Sequence, residues 1–176
     1  MQGIVTGVVF RPQSPPERLR ATVEAAEAAG VAELWLWEDC FLEGGLTAAT
    51  AALAWSERLR VGIGLLPVAL RNPAVVAMEI ATLERLFPGR FVPALGHGVL
   101  DWMGQVGARA GSPMTLLREH TAAVRDLLHG RRVDVAGTTS AWTAWPSTGR
   151  RRRPRRCCSG RGARRRCGWP GRSPTG

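Results

Sequence analysis

A histidine set between two glycines carries the clearest chemistry in this chain. In Arg90-Phe-Val-Pro-Ala-Leu-Gly-His-Gly98 a short apolar run reads as a strand, and its Gly96-His97-Gly98 end leaves an imidazole beside bare backbone. Such an imidazole can give or take a proton near neutral pH, or it can simply cap the strand end. Gly62 and Gly64 interrupt a second apolar run, Leu59 to Val68, at points where a ligand or another backbone can approach closely. Crowding inside a sheet would produce the same pattern. Metal ligation is disfavoured. Cys40 is the one cysteine of residues 1–137, while Cys157, Cys158 and Cys167 lack both CxxC spacing and a nearby histidine. His120 and His129 fall on or near a helix end and are expected at the surface or in caps.

Positioning His97 requires strands and helices in alternation, and the chain supplies them. Ile4 to Phe10 reads as a first strand and Ser14-Pro-Pro-Glu17 as a capping box. A helix follows with Leu19, Val23, Ala26 and Ala29 as its stripe, stopped by Gly30. Glu33 to Trp37 is the second strand, with Trp35 and Trp37 on one face as core filling. An alanine-rich helix from about Thr47 to Trp55 leads to the third strand, Leu59 to Val68. Asn72-Pro73 opens a helix that runs to Leu86, and Pro88-Gly89 ends it. Beyond the fourth strand lies a long connection, Val99 to Ser112, of the kind that carries function. Ser112-Pro113 begins a fourth helix with Leu116, Leu117, Val124, Leu127 and Leu128 on one side, closed by Gly130.

Four βα units in succession imply a parallel sheet, either an open doubly wound sheet or part of a (βα)8 barrel. Pattern alone leaves both open. The first βα turn, Phe10-Arg-Pro-Gln-Ser14, lacks the G-x-G-x-x-G of a dinucleotide site. In parallel α/β folds ligands sit at the carboxyl ends of the strands, which is where His97 falls.

Charge divides the chain. Residues 1–137 hold 13 arginines against 14 acids, whereas residues 138–176 hold 11 arginines and no acid, which accounts for the net charge of +10. That tail has no Val, Ile, Leu, Met or Phe, so little in it can offset the entropy of ordering, and it is expected to be disordered. We therefore divide the chain into a body, 1–137, and an Arg/Gly/Pro-rich tail, 138–176. Arg150 to Arg156 and Arg164 to Arg166 suit non-specific binding of nucleic acid or another polyanion, the competing function class. No run approaches the ~20 apolar residues of a spanning helix and no secretory leader is visible, so a cytoplasmic protein without membrane contact is expected.

Leu34-Trp-Leu-Trp-Glu-Asp39, Val61-Gly-Ile-Gly-Leu-Leu-Pro67, Leu70-Arg-Asn-Pro73, Glu79 to Arg90, and Gly96-His-Gly98 with Trp102-Met-Gly-Gln105 together resemble the luciferase-like monooxygenases. The resemblance covers about Val5 to Gly137. It implies a (βα)8 TIM barrel, here with four units or half of it, and an oxidoreductase or monooxygenase acting on a small molecule with reduced FMN or a deazaflavin. It implies catalytic roles for His97 and Asp39, and cofactor contacts from Gly64, Leu65, Gly96, His97 and Gly98. Asp39 could instead be a loop carboxylate fixing local backbone. Many members have a histidine after the acid of strand two, where this chain has Cys40.

The tail suggests why the pattern stops. A chain with no lysine and abundant Arg, Ala, Gly and Pro fits a GC-rich gene. Read one base out of frame with G- or C-ending codons, residues 167–176 become a globular, family-like segment. Residues after about Gly137 are accordingly expected to be a frameshifted translation, leaving a truncated and weakly active or inactive enzyme. The first and fourth strands would then be open edges, and an inner face carrying Val61, Ile63 and Leu65 would lack its opposite wall. Such a half-barrel is expected to self-associate or aggregate.

Overall fold

The computed structural model describes residues 5–136 and 141–144. Strands β1 (Gly7–Val9), β2 (Glu33–Leu36), β3 (Arg60–Pro67) and β4 (Phe91–Gly96) form one parallel sheet in the order β1-β2-β3-β4. Helices α1 (Leu19–Ala28), α2 (Gly45–Ala54) and α3 (Pro73–Leu86) connect them, and α4 (Leu100–Gln105) and α5 (Pro113–Leu128) follow. The four βα units thus stand as expected, with β1 and β4 at the sheet edges. The connection after β4 is partly helical, since α4 occupies the first part of what reads as a loop. Strands β5 (Val133–Ala136) and β6 (Ala141–Ala144) pair antiparallel, so regular structure extends past Gly137. The arginine runs and the three remaining cysteines lie outside the described residues.

Local chemistry explains most helix ends. The Asn72 side-chain oxygen accepts from the Ala74 N–H at 2.8 Å, with Pro73 pre-set at the first helical position. Gly30 adopts φ +69°, where a Cβ would be strained, and closes α1. The capping box does not form. Pro16 forces Pro15 into an extended conformation, Pro15 takes the cap position without a side-chain bond, and the chain enters α1 through a 3-10 turn, Pro16–Arg18. Ala29 is exposed just past the end of α1 rather than on its buried stripe.

The core lies between sheet and helices. Leu34, Leu36, Val61 and Ile63 are buried beneath Val23, Ala49, Leu53 and Val76. Val61 and Ile63 therefore face the helices, and the expectation that they line an uncovered inner face is corrected. The opposite face is filled differently. The Trp35 indole lies across Gly62 so closely that a Cβ there would sit 2.5 Å from the ring. Trp35 also donates to Glu33 at 2.9 Å, and Glu33 pairs with Arg60 at 2.8 Å. A glycine opposite a large flat side chain is what closes this layer.

Two half-buried polar groups tie loops to the core. Arg90 donates to the carbonyls of Leu53, Ser56 and Leu59 at 2.9–3.0 Å and to the Ser56 hydroxyl at 2.7 Å, capping the end of α2. Glu27, on α1, accepts from the Arg58 N–H at 2.9 Å and the Leu59 N–H at 3.2 Å. Burial alone would raise its carboxyl pKa, but those two donors and the Arg58 charge together hold it below its ordinary value. A depressed folded pKa stabilises the fold above the unfolded pKa and loses that contribution as pH falls through the folded one. Glu27→Gln is expected to cost about 1 kcal/mol at pH 7 and to flatten the stability curve on its acid side, as read by urea melts between neutral pH and the carboxylate range.

His129 caps α5 through the Arg125 carbonyl at 2.7 Å, as expected. His120 does not sit at the surface. It is 4% exposed, on the α5 side that packs against α3, and its Nε2–H donates to the Arg71 carbonyl at 3.1 Å. Burial lowers its pKa, which keeps it neutral.

Candidate functional site at the strand carboxyl ends

Because the sheet is parallel, the segments after β2, β3 and β4 emerge at one edge. Leu36 leads to Glu38, Asp39 and Cys40; Pro67 leads through a 3-10 turn (Val68–Leu70) to Arg71; and Gly96 leads to His97 and Gly98. At that edge β3 departs from regular pairing. Ile63 is opposite Pro93 and Leu66 opposite Leu95, so Gly64 and Leu65 share Ala94 in a bulge. Such a bulge takes backbone polar groups off the ladder and is common beside active sites. Gly64 is exposed, and the Gly64–Leu65 peptide bond is cis. Leu65 lies directly on Gly96, where a Cβ would meet its side chain at 2.4 Å. Leu65 and Gly96 are thus brought together.

Gly98 adopts φ +72°, and a Cβ on it would also press on Pro67 at 3.0 Å. The turn presents His97 to solvent. Its Nδ1 lies 2.6 Å from the Gly98 carbonyl. A carbonyl only accepts, so Nδ1 carries the hydrogen and the neutral ring has its lone pair on Nε2. Asp39 accepts from the Trp37 indole N–H at 3.0 Å, and its carbonyl receives the Leu42 N–H at 3.3 Å. Among the described residues no hydrogen bond or ion pair joins Asp39 to His97. Cys40 is half-buried; burial, then the Glu38 and Asp39 charges, push its thiol pKa up, so it stays protonated at neutral pH.

Two charged residues at this edge were not singled out from sequence. Glu38 is buried and its carboxylate takes both arms of the Arg71 guanidinium, Nη1 on Oε1 and Nη2 on Oε2 at 2.6 Å, while Oε2 also accepts from the Gly45 N–H at 2.8 Å. Hydrogen bonding to Glu38 holds Arg71 above its ordinary pKa. A signal existed. Leu34, Leu36 and Glu38 share the helix-facing parity of β2, and a carboxylate on a buried parity requires a cation. On the helix side of this edge, a cavity of about 20 Å3 lined by Phe10, Pro12, Leu19, Leu36 and Trp37 has room for a water.

A parallel sheet with helices on one face, a bulge in its third strand and a glycine-flanked histidine after its fourth define half of a (βα)8-type barrel. The luciferase-like monooxygenase family matches residues 3–159, and the chain belongs to that family. It is 25% identical over 131 residues to a 5,10-methylenetetrahydromethanopterin reductase of Methanolobus tindarius, covering 74% of this chain and 40% of that protein. It is 35% identical over 94 residues to an F420-dependent glucose-6-phosphate dehydrogenase of Rhodococcus hoagii, covering 50% of this chain and 28% of the relative. Its fold matches the FMN-bound oxygenating constituent of 3,6-diketocamphane monooxygenase from Pseudomonas putida, with a TM-score of 0.72 at 16% identity over 82% of this chain and 45% of that one. The chain therefore spans less than half the length of these proteins. Among the described residues no helix is long and apolar enough to cross a membrane.

Proposed function

We propose that the carboxyl edge of β2, β3 and β4 holds the ring of a reduced FMN or a deazaflavin, and that the chain serves an oxidoreductase transferring hydride or oxygen to or from a small molecule. The Gly64–Leu65 bulge carries this reading. It offers unladdered backbone groups to the polar edge of a ring beside a glycine-lined surface, and Trp35 lies 3.5 Å from where a Gly64 Cβ would be. Gly64, Leu65, Gly96, His97 and Gly98 are the contacts proposed. The relatives' names support both cofactors: one is F420-dependent, and one solved structure contains FMN. When bound, the ring supplies a two-electron donor or acceptor.

The chain's own residues would manage protons and orientation. His97, with Nδ1–H committed to the Gly98 carbonyl, offers Nε2 as acceptor for a substrate proton. Asp39, fixed by Trp37, orients a donor on the substrate or ring. Cys40, neutral, cannot serve as a base. A fluorescence titration of the chain with FMN, F420 and riboflavin tests the reading. Riboflavin lacks the phosphate, so its binding must come from the ring site, and salt-insensitive saturation by it is expected. Binding confined to the phosphate-bearing ligands and abolished by salt would place it on the arginine-rich tail as polyanion attraction, and would contradict the cofactor site.

The exposed edges of β1 and β4 support a second part of the proposal, self-association of this chain. Val9 on β1 is 56% exposed. Light scattering is expected to give a dimer or larger species; a monomer across the micromolar range contradicts it. We also propose that residues after about Gly137 are translated in a shifted frame, with the activity belonging to the whole barrel; a shifted frame that meets a stop codon contradicts this.

A further inference from the structure

At the Glu38–Arg71 pair one carboxylate joins three segments at the site, and the Arg71 carbonyl ties in a fourth, α5. Glu38 belongs to the loop between β2 and α2, and its Oε2 also takes the first N–H of α2, from Gly45. Arg71 lies between β3 and α3, and its own carbonyl is held by His120 of α5. The packing is close, since a Cβ on Gly45 would meet the Glu38 Cβ at 3.2 Å and Ile63 at 3.3 Å. Apart from the Trp37 indole N–H on Asp39, the loop has little else to fix it. Phe41 is 71% exposed with φ +69°, Leu42 is 43% exposed, and the loop's internal backbone bond is the long one from Leu42 to Asp39.

We propose that Arg71 is a positioning residue whose grip on the buried Glu38 carboxylate holds the β2–α2 loop so that Asp39 and Cys40 stay at the carboxyl edge beside β3 and β4. The catalytic meaning of this rests on the cofactor reading above; the geometry does not. Removing one partner of a buried, hydrogen-bonded pair leaves the other charge uncompensated, and the loop relieves that by swinging Glu38 into water. Asp39 and Cys40, the next two residues, move with it.

Cys40 reports this directly. Its alkylation by iodoacetamide, mapped by peptide mass spectrometry to separate it from the tail cysteines, is expected to be slow in the full chain, because the thiol is half-buried and poorly ionised. Arg71→Met is expected to speed it at least about tenfold, with far-UV circular dichroism and amide exchange of the core strands unchanged. The sign is diagnostic. Losing a positive charge by itself makes the thiol less acidic and slower, whereas release of the loop exposes it and speeds alkylation. Arg71→Lys, which keeps the charge and loses the two-pronged geometry, should give about a threefold increase. An unchanged or slower rate in folded Arg71→Met overturns the proposal; if that variant does not fold, a parental rate in Arg71→Lys does so. In parallel, Arg71→Met is expected to weaken riboflavin binding at least about tenfold. Unchanged affinity in a variant whose Cys40 has been freed would overturn the placement of the loop at the ring site. Absence of flavin binding in the parent would instead defeat the proposed function and leave the alkylation result to judge Arg71.

Discussion

On the function proposed above, His97→Ala is expected to lower turnover about 10²–10⁴-fold, the range typical of a positioned acid–base group, and to leave the melting temperature unmoved. On the reading-frame proposal above, the measurement is made on the chain extended in frame with the later barrel strands. The rate loss follows from Nε2 being the unprotonated nitrogen at the strand edge. The absence of a stability loss follows because His97 is exposed and its one hydrogen bond runs to the carbonyl of its own neighbour. His97→Asn sharpens the test, since an amide can still donate to the Gly98 carbonyl but cannot take a proton. Both variants should fall together. Activity of either within about threefold of the parent would leave His97 as a strand cap and nothing more.

Arg90→Met is expected to cost about 3 kcal/mol of folding stability with no specific effect on cofactor affinity. Its guanidinium serves the Leu53 carbonyl at the end of α2, which has no helical partner, and beyond it the Ser56 and Leu59 carbonyls and the Ser56 hydroxyl. Each charge-assisted bond contributes more than a neutral one, and the abandoned carbonyls keep their desolvation cost. Phe87, whose ring lies 5.7 Å from the guanidinium carbon, loses its cationic neighbour as well. Methionine preserves the stem's packing, so the loss reports the polar head. Urea denaturation measures it; a change below about 1 kcal/mol would mean that water replaces the guanidinium at those carbonyls.

The parts of the fold that depend on short-range chemistry were legible in the residues. Asn72-Pro73 starts α3 and Gly30 ends α1 because cap geometry is a local matter, and strict alternation of apolar runs required a parallel sheet. The failures are tertiary or competitive. Ser14 and Glu17 have the spacing of a capping box, yet Pro15 and Pro16 impose their own backbone angles and win. In β3 both parities beyond Arg60 are small or apolar, so period two says little about which meets the helices; Val61 and Ile63 do, and Trp35 covers Gly62 on the other side. At the site, Gly64, Leu65 and the Gly96-His97-Gly98 end are traceable in the chain, but the bulge that pairs two residues with Ala94 depends on β4's register. Glu38, and not only Asp39, is the structurally committed acid after β2. The parity of Leu34 and Leu36 points to Glu38 as the buried acid, while its partner lies 33 residues away and is visible only once β2 and β3 are side by side.

A structure of the chain soaked or co-crystallised with riboflavin, FMN or F420 tests the central claim most directly. The account predicts the ring at the carboxyl edge, its polar rim against the Gly64–Leu65 backbone, and Gly96, His97 and Gly98 within contact distance. A ring bound anywhere else, on the helix side of the sheet or along the arginine-rich segment, would contradict it.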